Sequence, residues 1–158
     1  MTPGSAPSAL TIRRATAADA PALARLRYVF RADLGAPNES EEAFVARCAG
    51  WMAARLEGDQ AWRCWVAEDA EAIVGTVWVH RFEKMPNPVD EPEHHAYITN
   101  LYVHPDRRGG IGSRLLETAL AWCREAGVDA VLLWPSEKSR SLYERYGFAV
   151  RDDVLELR

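Results

Sequence analysis

Between Val103 and Leu116 the chain reads VHPDRRGGIGSRLL, and here residue types and spacing point most directly to chemistry. An apolar run stops at Pro105, glycines follow at 109, 110 and 112, and a helical pattern begins at once. Glycine lets the backbone turn tightly and leaves no Cβ between the amides and a ligand. The first-turn N–H groups of a helix have no intrahelical acceptor, and its dipole favours negative charge there. Arg107, Arg108 and Arg114 add guanidinium groups whose geometry matches phosphate. The stretch therefore predicts a site for a phosphate-bearing ligand. The competing reading is a glycine-rich turn beside a solvated arginine pair. The run is neither a P-loop, since GxxxxGK[ST] is absent, nor the dinucleotide fingerprint GxGxxG.

Other reactive residues read more plainly. His94 and His95 stand among Asp90, Glu91 and Glu93. Adjacent residues of a strand point to opposite faces, and no second ligand pair is in reach, so no metal is expected. Arg107-Arg108-Gly109 is a single copy inside a strand–helix turn and does not read as an RNA-binding repeat. Cys123 falls on a helical core face, where a free thiol behaves as a small hydrophobe. Of the six tryptophans, most are expected in the core or at a dimer contact; Trp51 and Trp78 are candidates for the wall of a second-substrate pocket.

The elements that must position these residues follow from periodicity. Residues 10–13 alternate as a short strand. Thr16 and Asp19 form a capping-box-like start for a helix through Leu23, Leu26 and Phe30, which breaks near Gly35 and Pro37. A second helix runs from Ser40 to Gly58. Strands are expected at 62–68 and 72–82, joined by a hairpin turn. Residues 83–95 hold three prolines and four acids and predict a polar loop, long enough for a lid or a site wall. A strand at 96–103, a helix from Ile111, an apolar strand at 128–134 buried on both faces and a helix at 136–146 follow. Residues 148–150 and 154–157 supply one or two last strands. The order is β-α-α-β-β-β-α-β-α-β. It predicts a mixed α/β (α+β) fold with a mostly antiparallel sheet of six to seven strands and helices on both faces.

Composition limits the function. The 158 residues predict a disordered tail over 1–8 and one domain over 9–158. With 48% hydrophobic and 27% charged residues, the chain can build a core and is not disordered throughout. Nineteen basic against 23 acidic side chains give a net charge of −4, which argues against nucleic acid as partner. No apolar run approaches the roughly 18 residues of a membrane span, and MTPGSAPSAL does not read as a signal peptide. Three widely spaced cysteines fit free thiols in a reducing cytoplasm.

Two motifs together resemble the GNAT superfamily of N-acetyltransferases. Arg107-Arg108-Gly109-Gly110-Ile111-Gly112 matches that family's acyl-CoA motif, Arg/Gln-x-x-Gly-x-Gly/Ala, after a strand ending Leu101-Tyr102-Val103-His104-Pro105. Leu142-Tyr143-Glu144-Arg145-Tyr146-Gly147-Phe148 matches its Leu-Tyr-Glu-x-x-Gly-Phe helix end. The resemblance covers nearly the whole chain in element order. It implies acetyl-CoA as cosubstrate, without a metal. The pyrophosphate would rest on the amides from Arg108 through Gly109, Gly110, Ile111 and Gly112 to Ser113. The pantetheine arm would lie along Leu101, Tyr102 and Val103, where that strand splays from 128–134. Ser136 and Ser139 would contact the cofactor, although Ser136 stands where relatives often carry Asn.

The resemblance further implies transfer of acetyl to a primary amine of a small molecule by direct attack in a ternary complex. A peptide N-terminus, or a non-catalytic CoA-binding regulatory role, are the alternatives. Tyr143 would protonate the departing thiolate and the Leu101 amide would donate to the oxyanion. A Glu that some relatives place on 128–134 is replaced here by Val131, Leu132 and Leu133. The base is therefore open among His80, Glu83, Glu93, His94, His95, Tyr97, Thr99 and water. Tyr28, Asn38, Glu39, His80, Tyr97 and Thr99 are the expected acceptor contacts, with acids of 83–95 drawing in a cationic amine. A cytoplasmic homodimer is expected on base rates.

Overall fold

The computed structural model describes residues 10–58, 61–70, 72–107 and 109–158. The tail expected over 1–8, and Arg108, lie outside the described residues. Five strands form one sheet in the order β1 (Thr11–Arg14), β2 (Trp62–Asp69), β3 (Ala72–Glu83), β4 (His94–Val103) and β5 (Ala130–Leu132). The first four pair antiparallel and β5 runs parallel to β4. Helices α1 (Ala20–Ala32) and α2 (Glu41–Gly58) cover one face; α3 (Ile111–Glu125) and the short α4 (Arg140–Arg145) cover the other. The architecture is the mixed α+β arrangement that the element order predicts.

Alternation along the strands feeds two cores, one on each face. Cys64, Val66 and Trp78 turn toward α1 and α2, where Leu23, Ala24 and Met52 meet them. Trp65, Ala67, Val77, Val79, Ala96 and Ile98 turn toward Leu115, Leu116 and Ala119 of α3. Arg13 ties the first strand into this frame, donating to Asp19 (2.9 Å) and to Glu68 (2.6 Å). Asp19 also accepts the Thr16 amide at 2.8 Å, so the predicted cap forms, through a 3₁₀ turn ahead of α1.

Four expectations are corrected. The sheet has five strands, not six or seven: residues 148–150 and 154–157 carry no ladder. Arg151 pairs with Asp153 and Arg158 with Glu156 inside that segment, and Val150, Val154, Leu155 and Leu157 stay exposed. An alternating pattern becomes a strand only where an edge accepts it, and β5 offers three residues. Second, β5 is shorter than 128–134 and only half-buried, because its pairing with β4 stops at Tyr97 and Leu132. Third, the loop over 83–95 is shorter, since Glu83 pairs with His94 and Phe82 with His95. His95 stacks on Phe82, and the Asp129 carboxylate accepts the Glu93 and His94 amides, which extends the hairpin. Fourth, the helix over 136–146 begins later, because Ser136 opens a turn by accepting from Ser139 and Arg140. Among the described residues no helix is long and apolar enough to cross a membrane.

Candidate functional site

The glycine turn has the predicted shape. Gly109 (φ +113°) and Gly110 (φ +82°) occupy the left-handed region, and Gly110 precedes α3 without a side-chain cap. A Cβ at either glycine would meet nothing within 4 Å, so conformation rather than crowding selects glycine here. The first bond inside α3 runs from the Arg114 amide to Gly110 O at 3.0 Å. The amides of Ile111, Gly112 and Ser113 therefore open outward from the helix start. Arg107 is already paired: it holds Asp69, at the buried end of β2, and thereby fixes the turn to the sheet. A Cβ on Gly112 would touch Val103 Cγ2 at 3.8 Å and Leu142 Cδ2 at 4.0 Å, which places α3, α4 and β4 close together.

Next to this turn, β4 changes register. Thr76 pairs with Tyr102 and Trp78 with Thr99, so Val77 faces two residues, Asn100 and Leu101. Asn100 adopts φ +54°, a conformation its short amide side chain tolerates. The extra residue flips the alternation. Ala96, Ile98, Leu101 and Val103 all pack on the α3 side. Thr99 and Asn100 both face the α1–α2 side, and Tyr102 stacks on Phe30 of α1 at 4.8 Å. Beyond Tyr97 the β4 edge that faces β5 has no ladder partner among the described residues. Leu101, Tyr102 and Val103 thus lie along an edge that β5 does not cover, while β3 pairs with the other side of the strand.

On the α1–α2 side lies a cavity of about 540 Å³. From α1 it receives Arg27, and from α2 Phe44, Arg47, Cys48, Trp51 and Met52. The sheet contributes Trp62, Trp78, Tyr97, Thr99 and Asn100. The Tyr97 hydroxyl donates to Thr99 Oγ1 at 3.1 Å. Burial pushes the Cys48 thiol up, which keeps it neutral. Trp51 meets Trp62 edge-on at 5.0 Å, and both lie near 6 Å from Trp78 (6.1 and 6.2 Å).

Of the expected acceptor residues, Tyr97 and Thr99 line this cavity. His80 stands behind it, stacked on Trp62 at 4.5 Å. Tyr28 packs on Phe44, Glu39 pairs with Arg47, and Asn38 is exposed; none of the three reaches the cavity wall. The acids of the β3–β4 loop are also absent from it: Glu91 and Glu93 accept from Asn87 instead. Arg27 and Asn100 were missed. A signal existed for Arg27, which falls four residues after Leu23 and three before Phe30, on the apolar face of α1. Asn100 gave none, because its placement depends on the bulge.

On the opposite face, Tyr143 is buried against Phe148, ring centroids 5.7 Å apart. Burial raises its hydroxyl above the usual value, and a hydrogen bond with Ser139 works against that rise. The group stays a proton donor across the neutral range. Ser136 and Ser139 hydrogen-bond each other through their hydroxyls at 2.9 Å. His94 pairs with Asp129, and among the described residues no cluster could hold a metal ion.

A family model for the acetyltransferase (GNAT) family matches residues 24–148. The chain belongs to the GNAT family of acetyltransferases. That family assignment makes it an enzyme of acetyl-CoA-dependent acetyl transfer. Solved structures agree on the fold. A predicted acetyltransferase from Clostridium acetobutylicum, solved with acetyl-CoA, is 23% identical, with 95% of this chain and 96% of that one covered and a TM-score of 0.80. A GCN5-related N-acetyltransferase from Ralstonia eutropha is 24% identical over 95% and 99% of the two chains, with a TM-score of 0.74. A ribosomal-protein-alanine N-acetyltransferase from Brucella melitensis is 23% identical over 95% and 99%, at 0.70. No curated protein matches the chain.

Proposed function

We propose that this GNAT protein transfers acetyl from acetyl-CoA to the primary amine of a small molecule, with both substrates bound together. The observation that carries the reading is the cavity of about 540 Å³, which ends at Thr99 and Asn100 beside the unpaired edge of β4. Its volume lies within the range of small-molecule sites, about 300–1,000 Å³.

Acetyl-CoA supplies an acyl group activated as a thioester. The residues present fit it: open space over Gly109 and Gly110, and outward amides at Ile111, Gly112 and Ser113, suit a pyrophosphate. The β4 edge at Leu101, Tyr102 and Val103, which β5 does not cover, suits the amides of the pantetheine arm. The Leu101 N–H serves as donor to the negative charge that develops on the acyl oxygen. Tyr143, held protonated by burial, gives its proton to the departing sulfur. The acceptor enters from the α1–α2 side and must shed a proton before it attacks.

Two measurements test this. Calorimetric titration with acetyl-CoA, against dephospho-CoA and ATP, is expected to show selective binding of acetyl-CoA. CoA release is then followed against small primary amines and against peptides with a free N-terminus. Release with small amines supports the proposal; release with peptides alone moves it to the peptide class. Binding without release from any acceptor points to a regulatory CoA-binding role. No acetyl-CoA binding by the folded protein overturns the reading.

A further inference from the structure

Arg27 is a guanidinium set into the apolar stripe of α1, at the wall of the cavity. Its Nη1 donates to Asn100 Oδ1 at 3.3 Å, and among the described residues no carboxylate pairs with it. Burial, and then the nearby charge of Arg31, push this group down from its ordinary value. That is the mark of a cation held without its counter-ion, which costs free energy until an anion arrives. The second arginine of the cavity, Arg47, already has Glu39. Among the described residues, no Asp or Glu lines the wall. Among the described residues, two that line the cavity also bury N–H donors without an acceptor: Trp78 Nε1 and Asn100 Nδ2. The surplus of donors and positive charge runs against the whole chain, whose net charge is −4.

Two of the five aromatic residues of the wall already carry a cation on a ring face. Arg47 already lies over the Phe44 ring at 5.5 Å and Arg55 over Trp51 at 4.9 Å. Those ring faces have their cations. What remains is apolar area next to an unneutralised guanidinium.

We propose that the acceptor is an amine that also bears a carboxylate on an apolar or aromatic body, with Arg27 receiving the carboxylate. This rests on the cavity being the acceptor site, and it replaces the cationic amine expected from the acidic loop. A guanidinium receives a carboxylate through two parallel N–H bonds, and Nη1 alone is engaged by Asn100.

The test is kept independent of turnover. Trp51, Trp62 and Trp78 surround the cavity, so their fluorescence reports its occupation. The protein, with CoA present, is titrated with matched pairs of N-acetyl amino acids and their C-terminal amides. The pairs carry phenyl, indolyl and branched aliphatic side chains. For at least one body the carboxylate is expected to bind about tenfold tighter than its amide. Arg27→Gln should bring that ratio toward one, while the melting curve and acetyl-CoA titration check that the variant is folded. A ratio near one for every pair in the wild type, or no binding of any, overturns the proposal. So does a preference that survives in a folded Arg27→Gln protein. CoA release separates the two readings. Carboxylate preference without release from any free amine sinks acetyl transfer and leaves the anion site standing. Release from amines regardless of a carboxylate does the reverse.

Discussion

Tyr143 and Asp19 show how surroundings push single ionisable groups in opposite directions. Tyr143 is held neutral by burial, so it has a proton to give at pH 7. Tyr143→Phe is expected to lower kcat about 100-fold while acetyl-CoA affinity, read by calorimetry, changes little. An unchanged kcat would reduce Tyr143 to a core aromatic. Asp19 is shifted the other way. The Arg13 guanidinium, and then the Thr16 amide, hold its carboxyl below the usual range. Its contribution is present above the ordinary value of 3.8 and is lost as pH falls through the folded value. Asp19→Asn should therefore cost about 1 kcal/mol at pH 7, since Arg13 is partly exposed. The gap to the wild type in urea melts should begin to close below about pH 4 and vanish once pH is below the lowered folded value.

At the scale of elements, the close approach of α3 to the sheet decides where the glycine turn sits. Gly75 of β3 lies under α3, and a Cβ there would meet Leu115 Cδ1 at 3.1 Å, Tyr102 O at 3.2 Å and Val103 Cγ2 at 3.3 Å. Gly75→Ala presses on a backbone carbonyl of β4 as well as on side chains. It is expected to cost about 1–3 kcal/mol in a denaturant titration. Gly110→Ala tests the turn itself. Its Cβ has room, so the cost is conformational, about 1–2 kcal/mol for an L-residue held left-handed. The relaxed turn should also bind acetyl-CoA more weakly by calorimetry. Normal affinity in that variant would mean that the amides of α3 do not hold the cofactor.

For the whole molecule, one sheet separates two cores, and each half of the proposed site belongs to a different one. The cavity opens on the core of α1 and α2; the glycine turn and Tyr143 belong to the core of α3. Because β2 and β3 supply residues to both, the cores should unfold together. Leu23→Ala and Leu115→Ala, on opposite faces and both fully buried, are each expected to cost about 2–5 kcal/mol. In each variant, tryptophan fluorescence and far-UV circular dichroism should give one coincident transition. Separate transitions would show that the two halves of the site are independent units.

The sequence by itself determined what local rules govern. Period-2 and period-3.6 patterns placed β1 to β4 and α1 to α3 within a few residues. The Arg107 to Gly112 run pointed to a phosphate-bearing ligand, because such a cradle is made of backbone that adjacent residues shape; its resemblance, together with the helix end at Tyr143, to the GNAT family is what pointed to acetyl-CoA. Tertiary structure decided what depends on neighbours. Phe148 to Val150 and Val154 to Leu157 look like strands but find no edge to pair with. The bulge at Asn100 turns two successive residues of β4 to one face, which no alternation rule foretells. Acids near in sequence, Glu91 and Glu93 of the β3–β4 loop, accept from Asn87 within that loop. The charge at the cavity comes instead from Arg27, 73 residues from the Asn100 that it meets. Charge acts through distance in space, and a sequence orders charges only along the chain.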